Sequence, residues 1–238
     1  MPEPARIKAI SFDVDDTLWD FKTVMTRALK ITLNELHKLD PTAAQLLDIE
    51  RLIQIRLDVF ERLKGIETNL ERLRLEAFKE SLASIGRRND EIAKRLNDVY
   101  FQNRFTDIGL YDDVLPTLNT LRTQFILGIL SNGNSYPEKC GLDGIFSFTV
   151  FSQDHRIEKP DPRLFAIAAE QAGCRLDELL HVGDSIETDI AGAVAADVRS
   201  VWLNRHNAAN STSFIPNYEI PSLRNLLEIL PLTDRTSL

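Results

Sequence analysis

Apolar and polar positions alternate in two different ways along the chain. Ile7–Asp13 (IKAISFD) is a short apolar run that ends in an acidic cluster, and it reads as a buried strand carrying Asp13, Asp15 and Asp16 at its C-terminal end. From about Phe21 to Phe105 the apolar residues recur every three or four positions. Leu46, Leu47, Ile49, Leu52, Ile53, Ile55, Val59, Phe60 and Leu63 form one such stripe, which predicts amphipathic helix. Thr68 with Glu71 reads as a capping box, Gly86 as the stop of the helix it opens, and Asn89 and Asp90 as the cap of the next. This region reads as four helices with no strands.

Beyond it the period changes. Phe125–Leu130 reads as a strand ending at Ser131-Asn132-Gly133, and Phe148–Phe151 as a third strand. A helix over Arg163–Ala172, a strand over Leu179–Val182 ending at Gly183-Asp184, a helix over Glu187–Ala196, a strand over Arg199–Leu203 and a closing helix over Leu223–Leu230 follow. Strands alternating with helices predict parallel βαβ units. The expected fold class is α/β, a Rossmann-like doubly wound parallel sheet. Residues 1–20 and 106–238 form its core, and residues 21–105 form a helical domain inserted after the first strand.

Composition narrows the class. The chain has 238 residues, 43% hydrophobic and 27% charged, which suits an ordered globular protein. Its net charge of -8 repels nucleic-acid phosphate, so no nucleic-acid partner is expected. The charge is uneven. Lys22–Arg104 holds 16 Lys and Arg against 13 Asp and Glu, while the rest holds 12 against 23. Solvated helix faces account for this, as would a mildly cationic lid over an acidic core. Cys140 and Cys174 form no metal-binding or redox pattern. Met1–Ile10 lacks an apolar leader segment, and no apolar run is long enough to span a bilayer. The expectation is a soluble cytoplasmic protein without a membrane partner.

The polar clusters all fall at C-terminal ends of predicted strands, where open α/β sheets bind ligands. Asp13 and Asp15, two apart in extended chain, point the same way and address one site. Two close carboxylates repel unless a proton or cation intervenes, and Mg2+ is the natural cation beside a phosphate substrate. Asp13 is then a candidate nucleophile, and Asp15 a candidate proton donor and acceptor. Ser131, with backbone N–H groups beside Gly133, suits phosphate oxygens. Lys159 in Lys159-Pro160-Asp161-Pro162 suits one phosphate oxygen and the nucleophilic carboxylate, and Pro162 suits a helix start. Asp184 is a candidate metal ligand. Asp189 is either a further ligand, a partner that orients the ligands, or a helix-dipole charge.

Taken together and in this order, the four strings resemble the four motifs of the haloacid dehalogenase-like superfamily. Asp13, Asp15 and Thr17 match the first, Ser131 the second, Lys159 the third, and Gly183, Asp184 and Asp189 the fourth. The helical insertion lies where the branch with a C1-type helical cap carries its own. The resemblance implies a Mg2+-dependent phosphatase acting on a small phosphate monoester through an aspartyl-phosphate on Asp13. It implies Asp15 as general acid and base and as a metal ligand through its backbone carbonyl. It further implies Asp13, Asp15 and Asp184 on the metal, with Ser131, Asn132 and Lys159 on the phosphoryl group. In the dehalogenases of the superfamily the second acidic residue of the first motif is usually replaced, so Asp15 favours phosphoryl transfer. A phosphomutase, a 2-haloacid dehalogenase and a non-catalytic phosphate-binding protein are the alternatives. Sugar phosphates, phosphoglycolate and nucleoside monophosphates are the implied substrate classes, for a monomer or homodimer.

Some residues read as structural. His37, His155, His181 and His206 do not cluster, and His181 reads as packing or surface. Trp19 and Phe21 suit a pocket wall, a hinge or the core. Arg56, Arg62, Arg72 and Arg74 read chiefly as a solvated helix face.

Overall fold

The computed structural model describes residues 6–230. The expectation drawn for Met1–Ile10 falls partly on residues outside that range. The chain divides into two compact units, Met1–Asp20 with Gly109–Leu238, and Phe21–Ile108.

The first unit is built on a parallel sheet of six strands among the described residues: β1 Ala9–Phe12, β2 Ile126–Ser131, β3 Phe148–Phe151, β4 Leu179–Gly183, β5 Arg199–Leu203 and β6 Tyr218–Ile220, in spatial order β3-β2-β1-β4-β5-β6. Every residue of β1 and β4 is buried, as expected for parallel strands covered on both faces. Ser11 lies beside His181, and Phe12 lies between Ile129 and Val182. The chain leaves β1 toward β2 on one side and returns to β4 on the other. The β1/β4 crevice is therefore the point where strand order reverses, and the natural place for a ligand.

The helix Pro162–Gln171 shows how the sheet is covered. Pro162 opens it, the Asp161 carboxylate accepts from the Arg163 N–H, and Leu164, Phe165, Ala168 and Ala169 face inward. Phe165, Leu164 and Ala168 join Ala9, Leu130, Val150 and Leu179 in one core cluster. β6 was not expected from sequence.

The second unit contains α1 Phe21–Leu39, a short α2 Pro41–Gln45, α3 Ile49–Leu63, α4 Leu70–Ser84 and α5 Asp90–Arg104. Met25, Leu29, Leu36, Phe78, Leu82, Leu96 and Tyr100 fill its core. Two local expectations change. The apolar stripe from Leu46 is broken at Asp48, whose carboxylate accepts from the Arg51 N–H and starts α3. The cap of α4 is Asn69, which accepts from the Arg72 N–H, so Thr68 and Glu71 form no capping box. Gly86 follows α4 at a φ of 71°, and Asn89 caps α5, both as expected. No helix of the described residues is long and apolar enough to cross a membrane.

Candidate active site

Asp13 follows the last residue of β1 and is anchored by its own N–H, which donates to the Val182 carbonyl at 2.9 Å. Lys159, 3% exposed, reaches it from the segment between β3 and the Pro162 helix. The Lys159 ammonium donates to Asp13 Oδ1 at 2.7 Å, to the Leu130 carbonyl at 2.8 Å and to Asp189 Oδ1 at 2.5 Å. Three donors thus meet three acceptors, and the cation is fully satisfied.

Asn132, expected on the phosphoryl group, has another task for its side chain. Its Oδ1 accepts from the Lys159 N–H at 2.7 Å and its Nδ2 donates to the Lys159 carbonyl at 3.0 Å. The amide clamps the backbone that carries the lysine. The Ser131 hydroxyl accepts from the Gly133 N–H at 3.1 Å. A methyl group on Gly133 would stand 3.0 Å from Asp15 Oδ2, so the close approach of the β1 and β2 ends needs glycine there. Asp15 in turn accepts from the Ser135 hydroxyl at 3.0 Å.

On the other side of the crevice, Asp184 follows β4. Its Oδ1 accepts from the Thr17 hydroxyl at 3.1 Å, and its carbonyl accepts from the Trp202 indole at 2.8 Å. Asp13, Asp184 and Asp189 each offer a carboxylate oxygen within 4.8 Å of the others. Asp189, however, is occupied. It accepts from Lys159, from His181 Nε2 at 3.0 Å and from the Ser185 N–H at 3.0 Å. A methyl group on Gly183 would lie 2.2 Å from its Cγ, so Gly183 leaves the space Asp189 fills.

Burial dominates the electrostatics. It pushes Asp13 up to about 7, with Lys159 opposing and Asp189 and Asp15 adding repulsion. Burial, then Asp13, Asp189 and Asp16, push Asp184 up to about 8. Asp189 is held low, because Lys159 and His181 outweigh its own burial. The single lysine therefore serves Asp189 first, and Asp13 and Asp184 remain two buried carboxyls short of positive charge. A hard oxygen donor set of this kind fits a divalent metal.

Sequence reasoning missed four parts of the frame. His181 is fully buried. With Nε2 donating to Asp189, its Nδ1 accepts from the Ser11 hydroxyl at 2.9 Å. Burial holds its pKa down, so it is a neutral donor. Ser135 orients Asp15. Arg205 grips the loop after Asp13 by donating to the Thr17 carbonyl at 3.0 Å, while Asp113 accepts both its terminal nitrogens at 2.8 and 2.9 Å. Trp19 is fully buried and pairs with Leu110, so it belongs to the core. The signal for His181 and Ser11 was present: each is a polar residue inside an apolar strand, and such a residue needs a partner.

Fold and site together define an α/β hydrolase with its carboxylates at the sheet's switch point. The model of the haloacid dehalogenase-like hydrolase family matches residues 7–197, and the chain belongs to that family. It is 28% identical over 234 residues to 5-amino-6-(5-phospho-D-ribitylamino)uracil phosphatase YigB of Escherichia coli, covering 94% of this chain and 97% of that one. It is 26% identical to human N-acylneuraminate-9-phosphatase, covering 97% and 96%. The structure of a 2-haloacid dehalogenase from Pseudomonas syringae superposes with a TM-score of 0.80 at 31% identity, covering 93% and 97%.

Proposed function

We propose that this enzyme hydrolyses a small-molecule phosphate monoester through a covalent phosphoryl group on Asp13, with Mg2+ as its metal. The observation that carries the reading is the pairing of two carboxyls with different surroundings. Asp13 is buried against the Lys159 ammonium, and Asp15, two residues on, is held by Ser135. A nucleophile and a proton-transfer group are what phosphate ester cleavage demands.

In this reading an Asp13 oxygen attacks phosphorus while the bond from phosphorus to the ester oxygen breaks. Asp15 gives its proton to the departing alkoxide. A water molecule then attacks the same phosphorus, Asp15 takes its proton, and inorganic phosphate leaves with the Asp13 carboxylate restored. Lys159, the Ser131 hydroxyl and the Asn132 backbone N–H hold the phosphoryl oxygens. Asp13, Asp184 and the Asp15 carbonyl would hold the metal, which supplies positive charge against the charge of the transferring group. The helical unit serves as the cap from which substrate selection comes.

The two named phosphatase relatives support a phosphorylated metabolite as substrate. The dehalogenase likeness supports a second reading, carbon–halogen cleavage with Asp13 as nucleophile. A departing halide needs no proton, whereas an alkoxide does, so the presence of Asp15 favours the ester. The test is phosphate release from a panel of phosphomonoesters, with Mg2+ and with EDTA, beside Asp13→Asn. Metal-dependent release that disappears in the folded variant is expected. Near-normal turnover by Asp13→Asn overturns the mechanism, and halide release from a 2-haloacid without phosphatase activity moves the assignment to the second reading.

A further inference from the structure

A buried cation needs an opposite charge or a full set of hydrogen bonds. Arg74 on α4 is 4% exposed and has neither. It donates one hydrogen bond, to the Tyr100 hydroxyl at 3.0 Å, and its guanidinium lies 4.3 Å from the centre of that ring. Among the described residues no carboxylate stands within ion-pair distance of it. This overturns the solvated-face reading of Arg74. Arg62 and Arg72, on the same pair of helices, do follow that reading: both are exposed and pair with Glu80 and Glu67.

Two more guanidiniums gather there. Arg104, the last residue of α5 and 2% exposed, lies 4.7 Å from the centre of the Phe21 ring. Arg56 on α3 lies 5.8 Å from the same ring and 4.3 Å from that of Phe60. Burial lowers Arg74 to about 10, and the like charges of Arg56 and Arg104 add to that lowering. Stacking on a ring engages the flat face of a guanidinium and leaves its N–H edge for a planar anion. Phe21 opens α1 and Arg104 closes α5, so the cluster sits at the end of the helical unit where the chain enters and leaves it.

We infer that Arg56, Arg74 and Arg104 form an anion-recognition site of the helical unit, which selects phosphate esters carrying a second anionic group, a carboxylate or another phosphate. The inference rests on the phosphatase reading for its substrate. It gives the unit's excess of positive charge a chemical use, since a second anion would receive the charge-assisted donors that the aromatic rings only orient.

Matched substrate pairs test it. The enzyme should prefer 3-phosphoglycerate to glycerol 3-phosphate, or fructose 1,6-bisphosphate to fructose 6-phosphate, and which pair shows the preference tells carboxylate from phosphate. Arg74→Gln should lower kcat/KM about 10- to 100-fold for the preferred doubly anionic ester, the usual loss with one charged hydrogen bond, and leave the singly anionic partner nearly unchanged. Arg56→Gln, at a less buried position, repeats the test if Arg74→Gln does not fold. Equal losses on both members of a pair, or no preference in the unaltered enzyme, overturn the inference. If no ester is hydrolysed at all, the phosphatase reading fails separately. Calorimetry with malonate then decides: binding that Arg74→Gln abolishes upholds the anion site, and absence of binding overturns it.

Discussion

Stripping divalent metal from this enzyme should make its stability fall with rising pH, and Mg2+ should cancel that fall. Asp13 and Asp184 have ordinary values of 3.8 and stand at about 7 and about 8 in the fold. Because the folded values are raised, their contribution to stability is complete below the unfolded value and is lost as pH rises through the folded ones. Between those limits the folded chain holds up to two protons that the unfolded chain has released. Each costs about 1.4 kcal/mol per pH unit, a limiting slope of about 2.7. The two groups share one repulsion, so a slope of about half that is the working expectation. The neighbours set the window. Lys159 stays protonated and Asp189 ionised throughout. His181, lowered from 6.5 by burial, contributes the opposite slope below that pH and none above it. From pH 6.5 to 7.5, urea unfolding in EDTA should therefore show a loss of about 1.4–2.7 kcal/mol. With saturating Mg2+ the curve should be flat, and calorimetry in buffers of different ionisation enthalpy should show proton release on binding. A metal-free protein whose stability is level or rises over this range, or Mg2+ stabilisation that is no larger at pH 7.5 than at pH 5.5, refutes the charge balance drawn for the site.

Three substitutions probe the frame around the carboxylates. His181→Leu removes a donor from Asp189 and an acceptor from Ser11; it should cost about 1–3 kcal/mol in chemical denaturation and lower kcat, while His181→Gln recovers part of the rate, and an unchanged kcat in the leucine variant would exclude a positioning role. Gly183→Ala and Gly128→Ala both place a methyl where none fits, 2.2 Å from Asp189 and 2.1 Å from the Phe148 ring, so each should destabilise by about 1–3 kcal/mol. Steady-state kinetics should separate them: only Gly183→Ala lowers turnover, because only Asp189 holds Lys159. Asp113→Ala strips Arg205 of its carboxylate and should cost about 3–5 kcal/mol by urea unfolding. Hydrogen bonds from Arg205, Ser222 and Leu223 outweigh burial and hold Asp113 below 3.8, so its stabilising effect is present above that value and fades as pH falls below it.

How far a residue's part could be read in advance depended on whether its meaning was local. Asp13, Ser131 and Asp184 each stand where an apolar strand runs out into polar chain, and a parallel sheet brings such ends together whatever the register. β6 gave no such sign: it has three residues, two of them exposed, and its strand character comes only from pairing with β5. His181 and Ser11 were visible as polar residues inside apolar strands, but that they answer each other follows from the β1/β4 register, which places them side by side. Asn132 shows the converse, a motif residue whose side chain went to its neighbour's backbone because Lys159 must be held before it can hold anything else. Arg74 lies four residues before Phe78 on the buried face of α4, a helical spacing that pointed inward while its charge argued outward. In each of these cases the chain shows which polar groups will be costly to bury, and only the assembled strands and helices show which partner, protein or ligand, meets that cost.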